Sequence, residues 1–393
     1  NPRDNSWGPD YSRNQRHISI TVFYNFYKYL YHTTDKEFLF NHGIGVMVEI
    51  ARFWASIVQQ NKKTGRYHIK GVMGPDEFHE KYPRTTRALD DNAYTNVMVS
   101  WLMEKVLEVI KELPNHIKKR LNIKEQELQR WNDISENLNI VIKNGIIMQF
   151  DGFDKLKDLD WEYYIKKYKN IRRLDRILKK ENKNPDNYKV LKQADALMIF
   201  YVLDFKEAMN IIKRLGIKIK DTQKFLKENY NYYSSITTHG SSLSEFVHDA
   251  ISTNLKKTDN LWEYFTKALS VDLLDTQEGT TSEGIHCGLM AGTINTVRKY
   301  LAGIRTYSDR ITIKPYFPSH WKKFKFRIIH QGLTYHFDYT PAGVLVTLES
   351  KKGRALVCHN GKKYYLTGGS SKYIKNIKNF ESSIKESHIC CYT

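Results

Sequence analysis

The densest run of chemically useful side chains is Gly71-Val72-Met73-Gly74-Pro75-Asp76-Glu77-Phe78-His79-Glu80. Two glycines and a proline impose an irregular backbone there, because glycine admits φ values closed to other residues and proline locks its own. Three carboxylates and a histidine crowd onto that backbone. A carboxyl group beside an apolar neighbour such as Phe78 has its charged form disfavoured, which is what a general acid requires. The plainer reading is a surface turn with solvated acids. A second cluster, Thr237-Thr238-His239-Gly240-Ser241-Ser242-Leu243-Ser244, opens a helical pattern. Hydroxyls, a glycine and free N–H groups at a helix start form an anion site, although Ser and Thr are also ordinary caps. A third, Gly279-Thr280-Thr281-Ser282-Glu283-Gly284-Ile285-His286, reads the same way: a phosphate site, or a capping box with His286 as a buried polar residue. Two anion-type helix openings in one chain say more than either alone. The fourth, Lys192-Gln193-Ala194-Asp195, stands at the mouth of the apolar stretch 197–203, where charge is costly unless partnered. A helix-start charge pattern is the alternative. His17, after Gln15 and Arg16, opens the first helical pattern similarly.

The elements that must hold these residues are helical over the first three quarters of the chain. Apolar residues recur at helical spacing over 17–31 (Ile18, Val22, Phe23, Phe26, Leu30) and 38–59 (Val46, Ile50, Phe53, Trp54, Ile57). Residues 91–113 start at an Asp91 cap and stop before Pro114. Further helices are expected near 125–141, 192–203, 206–215, 244–255, 261–269 and 284–301, with irregular segments at 65–90, 145–161 and 232–243. Long loops on a helical scaffold are where chemistry is placed. Trp7, Trp54, Trp101 and Trp161 could serve as sugar platforms, but aromatics at helical spacing are more often core. Near Tyr307 the period changes to two, and Asn360-Gly361 is a strong hairpin turn. A small β domain therefore follows the helical one.

Composition bounds the function classes. Net charge is +19, from 62 Lys and Arg against 43 Asp and Glu, densest after residue 306. The basic residues are scattered and no nucleic-acid module signature occurs, so no nucleic-acid partner is expected. No apolar run reaches a membrane span, and no signal-peptide pattern opens the chain. Cys287, Cys358, Cys390 and Cys391 fit neither a zinc site nor a disulfide framework, which implies a reducing, cytoplasmic setting and no metal.

Taken together, these segments resemble glycoside hydrolase family 65, the inverting disaccharide phosphorylases acting on maltose, trehalose, kojibiose and nigerose. Residues 74–79 followed by Asp91-Asn92-Ala93-Tyr94-Thr95-Asn96 are similar to the family's catalytic-acid segment. Residues 192–195 are similar to its sugar-binding segment, and 238–244 and 280–286 to its phosphate loops. Gln149-Phe150-Asp151-Gly152 and residues 313–321 fit as well. The resemblance implies a mainly α fold: an (α/α)6 barrel at 1–305, lacking its first helices, then a C-terminal β-sandwich domain at 306–393. It implies Glu77 as the acid, Ser241, Ser242 and His286 as phosphate ligands, and Lys192, Gln193 and His17 as substrate contacts. Asp76 and His79 would orient the acid loop. Phosphate would be a co-substrate, with no further cofactor, and a homodimer is among the assemblies implied. An inverting hydrolase needs an acid and a base, whereas phosphate is already nucleophilic, so one protein carboxyl suffices. Two other readings stand beside this one. One is a family hydrolase of kojibiose or trehalose type, with Glu245 or Glu283 in place of phosphate. The other is an inactive carbohydrate-binding remnant.

Overall fold

A computed structural model describes residues 11–255, 261–274, 284–318 and 321–375. Its contacts group the chain into two units, the first of which contains residues 37–256 and the start of the chain to Tyr27. The Ala93–Lys111 helix is central to this unit. Asn92 caps it by accepting from the Thr95 N–H, and fourteen of its residues are buried, from Ala93 to Ile110. A helix apolar on nearly every side must be enclosed by others. It packs against the Glu125–Asn137, Asp195–Val202 and Ile44–Ile57 helices. The Ile18–Thr33 helix adds Phe23, Tyr24 and Tyr27, whose rings lie 5.7, 5.4 and 5.4 Å from the fully buried Trp101. Trp54 is equally buried, so both tryptophans are core rather than sugar platforms. Val22 and Phe53, expected on apolar faces, are 41% and 39% exposed.

The sequence places the cap of the central helix at Asp91; the structure moves it one residue on. Asp91 takes φ +50°, and its buried carboxylate accepts from His68 Nδ1, the Ile69 N–H and the Asn96 and Asn139 amides. It clasps three segments instead of capping. The helix expected over 38–59 is a π-turn, Leu39–Gly43, running into Ile44–Ile57. The segment expected to be irregular from 232 is still helical to Ile236.

The second unit contains the sandwich. One sheet has the order Lys362–Thr367, Arg354–His359, Arg310–Ile313, Ile304–Tyr307, with a parallel pair in its middle. The other runs Ser371–Lys375, Gly343–Leu348, Leu333–Thr340, Phe324–His330, antiparallel throughout. Alternate residues point inward, so Ile311, Ile313 and Val357 meet Phe337, Tyr339, Val344 and Val346 in one core. Asn360 and Gly361 both have positive φ, +47° and +79°, the geometry a two-residue hairpin requires. The β pattern starts slightly before Tyr307, at Ile304. The helices Leu261–Leu274 and Cys287–Thr296 belong to this unit. Among the described residues no helix is long and apolar enough to cross a membrane.

Candidate active site

The loop of residues 71–80 is organised by a buried carboxylate. Asp76, 1% exposed, accepts at Oδ1 from the N–H groups of Lys192 (3.0 Å), Gln193 (3.4 Å) and Phe78 (3.4 Å). At Oδ2 it accepts from His79 Nδ1 and Gln149 Nε2, each at 3.0 Å. Its own N–H donates to Asp195 Oδ1 at 2.7 Å. Asp195 is held by Asn92 Nδ2 at 2.9 Å, and its N–H donates to Gln149 Oε1 at 3.1 Å. Gln193 Nε2 closes the ring on the Pro75 carbonyl at 2.7 Å. The loop therefore docks on the start of the Asp195–Val202 helix through paired polar groups, as burial demands. Gly74 has to be glycine, because a Cβ there would collide with the Asp195 carboxylate and the Asn92 amide.

Burial, with the charge of Asp76 beside it, pushes the Asp195 carboxyl well above the usual carboxylate range, although Asn92 and the Asp76 N–H partly offset this. His79 is fully enclosed, and its second nitrogen faces the Tyr188 carbonyl at 2.9 Å. Burial acts to lower its pKa, but the bond to Asp76 and that carboxylate's charge, with Tyr188, outweigh it and hold His79 above its ordinary value. Both ring nitrogens thus meet acceptors, which suits an imidazolium. His17 sits under the same loop, Nδ1 to the Met73 carbonyl at 3.2 Å; burial lowers its pKa, against that carbonyl.

Only Glu77 of the loop's central acids reaches out. Its side chain is 57% exposed, and Oε2 meets Lys192 Nζ at 2.7 Å. Phe78 is not the apolar wall suggested by the sequence: it is buried in a separate cluster with Leu159, Tyr164, Leu174, Leu178 and Val190. Lys192 also marks where the serine-rich loop arrives. Thr238 N–H donates to the Leu191 carbonyl at 2.8 Å, and a Cβ on Gly240 would stand 3.4 Å from Lys192 Cγ and collide with the Arg172 carbonyl. Ser241 Oγ accepts from the Leu243 N–H at 3.3 Å at the head of the Ser242–Asn254 helix. That is a cap, and it leaves the hydroxyl hydrogen to donate. His239 takes φ +54° and its Nδ1 faces Ser244 Oγ at 3.0 Å, with the ring edge-on to His248 at 4.7 Å.

The first unit thus brings together Glu77, Lys192, Gln193, Asp76, His79 and His17, and carries Ser241 and Ser242 on the adjoining loop. Gln193, expected to hold sugar, has its amide nitrogen committed to backbone. His286 belongs to the second unit, where Nδ1 meets Asp272 Oδ1 at 2.5 Å and its N–H donates to Oδ2. Partial burial would raise the Asp272 carboxyl, but these bonds hold it below its usual range. His286 stands just before the Cys287–Thr296 helix, without a side-chain cap bond. Residues 280–283, Trp7, Cys390 and Cys391 lie outside the described residues. Sequence reasoning overlooked Asp195 and Asn92 as members of the site. The signal was present in the quoted segments, but a charged residue opening an apolar helix does not name a partner 119 positions upstream. Among the described residues no group of three His, Cys, Asp or Glu is placed to hold a metal.

Comparison gives the family. The chain matches the glycosyl hydrolase family 65 central catalytic domain over residues 1–295 and that family's C-terminal domain over 304–366. It belongs to glycosyl hydrolase family 65, with the family's (α/α)6-barrel and β-sandwich fold. It is 37% identical to the trehalose 6-phosphate phosphorylase of Lactococcus lactis over 84% of this chain and 42% of that one. It is 29% identical to the kojibiose phosphorylase of Halothermothrix orenii over 81% and 39%. A solved structure described as a putative kojibiose phosphorylase from the human microbiome matches with a TM-score of 0.70 at 25% identity, over 94% of this chain and 50% of that one. The chain spans 27% to 45% of the length of the curated relatives it matches.

Proposed function

We propose that the chain carries the acid and anion-binding residues of an inverting phosphorylase acting on an α-glucosyl disaccharide. The observation that carries this reading is one outward carboxylate, Glu77, beside Lys192, on a buried polar scaffold that also receives a hydroxyl-rich helix start. In the reaction, phosphate attacks the anomeric carbon from the face opposite the leaving sugar, while Glu77 gives its proton to the glycosidic oxygen. The products are β-glucose 1-phosphate and the released sugar. Ser241 and Ser242 would hold the phosphate; Lys192, Gln193 and His17 would order the sugar. For Glu77 to carry a proton, Lys192 must leave it, and sugar hydroxyls bound to Nζ supply the alternative partners. Asp76 and His79 fix the loop's backbone so that the acid is aimed before substrate arrives.

Glu245, a candidate second carboxylate for hydrolysis, is held by Arg172 NH2 at 2.5 Å, which favours phosphorolysis. The higher identity to the trehalose 6-phosphate phosphorylase makes trehalose 6-phosphate the first disaccharide to try, ahead of trehalose and kojibiose. The test is incubation of the protein, in its longest native form, with each disaccharide, with and without phosphate. Sugar release that requires phosphate supports the reading. Release at the same rate without phosphate makes the protein a hydrolase.

A further inference from the structure

The first unit holds a cavity of about 370 Å³ that none of Glu77, Lys192, Gln193, Ser241 or Ser242 lines. Its walls come from the end of the acid loop and from the turn that packs under it, and they include Lys81, Arg84, Lys157, Lys183, Asn184 and Asp186. Four cations around one small space repel one another unless something negative lies between them. Two of them have local partners: Lys183 Nζ lies 2.8 Å from Glu181, and Lys81 Nζ sits over the Tyr11 ring. Arg84 and Lys157 have no carboxylate within ion-pair distance among the described residues. Arg84 is moreover held at φ +60°, a conformation that costs a non-glycine residue about 1 kcal/mol or more.

Asp186 supplies the second observation. It is 2% exposed; Oδ1 accepts from the N–H groups of Glu80 (3.0 Å) and Lys81 (3.4 Å), and Oδ2 is buried with no partner. An orphaned buried oxygen of this kind calls for an explanation. Burial raises the Asp186 carboxyl above its ordinary range, against the pull of His79 and the two N–H groups.

We propose that this cavity binds a hexose phosphate, with Arg84 and Lys157 on the phosphoryl group and Asn184 and Asp186 on sugar hydroxyls. Arginine presents the planar fork that matches a phosphoryl group, and lysine adds a point charge. The volume suits a phosphorylated monosaccharide. Because Asp186 also holds the backbone of Glu80 and Lys81, and the Tyr188 carbonyl holds His79, occupancy stiffens the segment that aims Glu77. The phosphoryl group has two sources: a free hexose phosphate, or the phosphate of a phosphorylated disaccharide already engaged at Glu77.

The test is calorimetric titration of the protein with glucose 6-phosphate, inorganic phosphate and glucose, for the native chain, Arg84→Ala/Lys157→Ala and Lys192→Ala. Arg84 and Lys157 carry no core contacts, so the double variant should melt with the native chain. Glucose 6-phosphate binding is expected to weaken about tenfold or more in the double variant and to survive Lys192→Ala. Unchanged affinity in the double variant overturns the proposal, and inorganic phosphate binding as tightly as glucose 6-phosphate through the same two residues overturns its sugar component. Because this readout needs no turnover, it stands or falls separately from phosphorolysis. A second arm separates the sources. Loss of kcat/KM in the double variant for trehalose 6-phosphate but not for trehalose identifies the substrate's own phosphate; equal rates on both identify a free ligand.

Discussion

Replacing Asp76 by alanine tests whether the acid loop is a built scaffold or an incidental turn. The carboxylate receives five donors: three backbone N–H groups, His79 Nδ1 and Gln149 Nε2. Hydrogen bonds to a charged acceptor contribute about 1.5–3 kcal/mol each in favourable cases, but several here are long, and water enters the space left by the side chain. Removing one partner of a buried ionic cluster typically costs about 3–5 kcal/mol, and that is the expected loss of unfolding free energy for Asp76→Ala. Asp76→Asn keeps an acceptor for the N–H groups and should fall between. The pH dependence has a defined sign. The folded-state pKa of His79 lies above its unfolded value, so its contribution is fully present below about pH 6.5 and fades as pH rises through the raised value. The gap between the native chain and Asp76→Ala should therefore be widest at mildly acidic pH and narrow in alkali. Urea unfolding followed by circular dichroism across that range measures it. A gap below about 1 kcal/mol, or one indifferent to pH, would refute the scaffold.

Gly74→Ala, which drives a methyl into Asp195 and Asn92, should cost about 1–3 kcal/mol and misplace the acid, lowering kcat more than it raises KM; melting and steady-state kinetics check both. Lys192→Ala should leave stability within about 1 kcal/mol, because its ion pair with Glu77 is half-exposed, yet raise the KM for disaccharide by an order of magnitude or so; an unchanged KM would remove Lys192 from the sugar site. Gly361→Ala, at φ +79° in the hairpin turn, should destabilise the sandwich by roughly 1 kcal/mol and leave phosphorolysis unchanged.

The long helices were legible because their apolar spacing is strong: the Ala93–Lys111 helix could be placed to within two residues at either end. Trp161–Tyr168 and Leu174–Lys180 were not, since they are short, lysine-rich and bury only Tyr164, Leu174 and Leu178. Thr222–Ile236 was not legible either: it is mostly polar, with Phe225, Leu226, Asn229 and Tyr233 its only buried residues, and its last turn falls in the segment expected to be irregular. The sandwich showed in its period-two alternation, apart from Ile304–Tyr307 and Ser371–Lys375, whose residues do not alternate between buried and exposed. At the site, residue types singled out the acid loop and the serine loop. What joins them is long-range: Leu191 to Thr238, Asp76 to Lys192, Tyr188 to His79. The cap at Asn92 rather than Asp91 was also invisible, since both residues cap well and only the demands of His68, Asn96 and Asn139 decide between them.

Glu77 is the proposed acid of a phosphate-dependent cleavage with inversion. Proton NMR of the reaction in phosphate buffer, following the anomeric signal of the sugar phosphate formed, tests it most directly. β-Glucose 1-phosphate should appear first with the native protein, and Glu77→Gln, with an unchanged melting curve, should lose about 10²–10⁴-fold in rate. An α-configured product, or near-native turnover by Glu77→Gln, would contradict it.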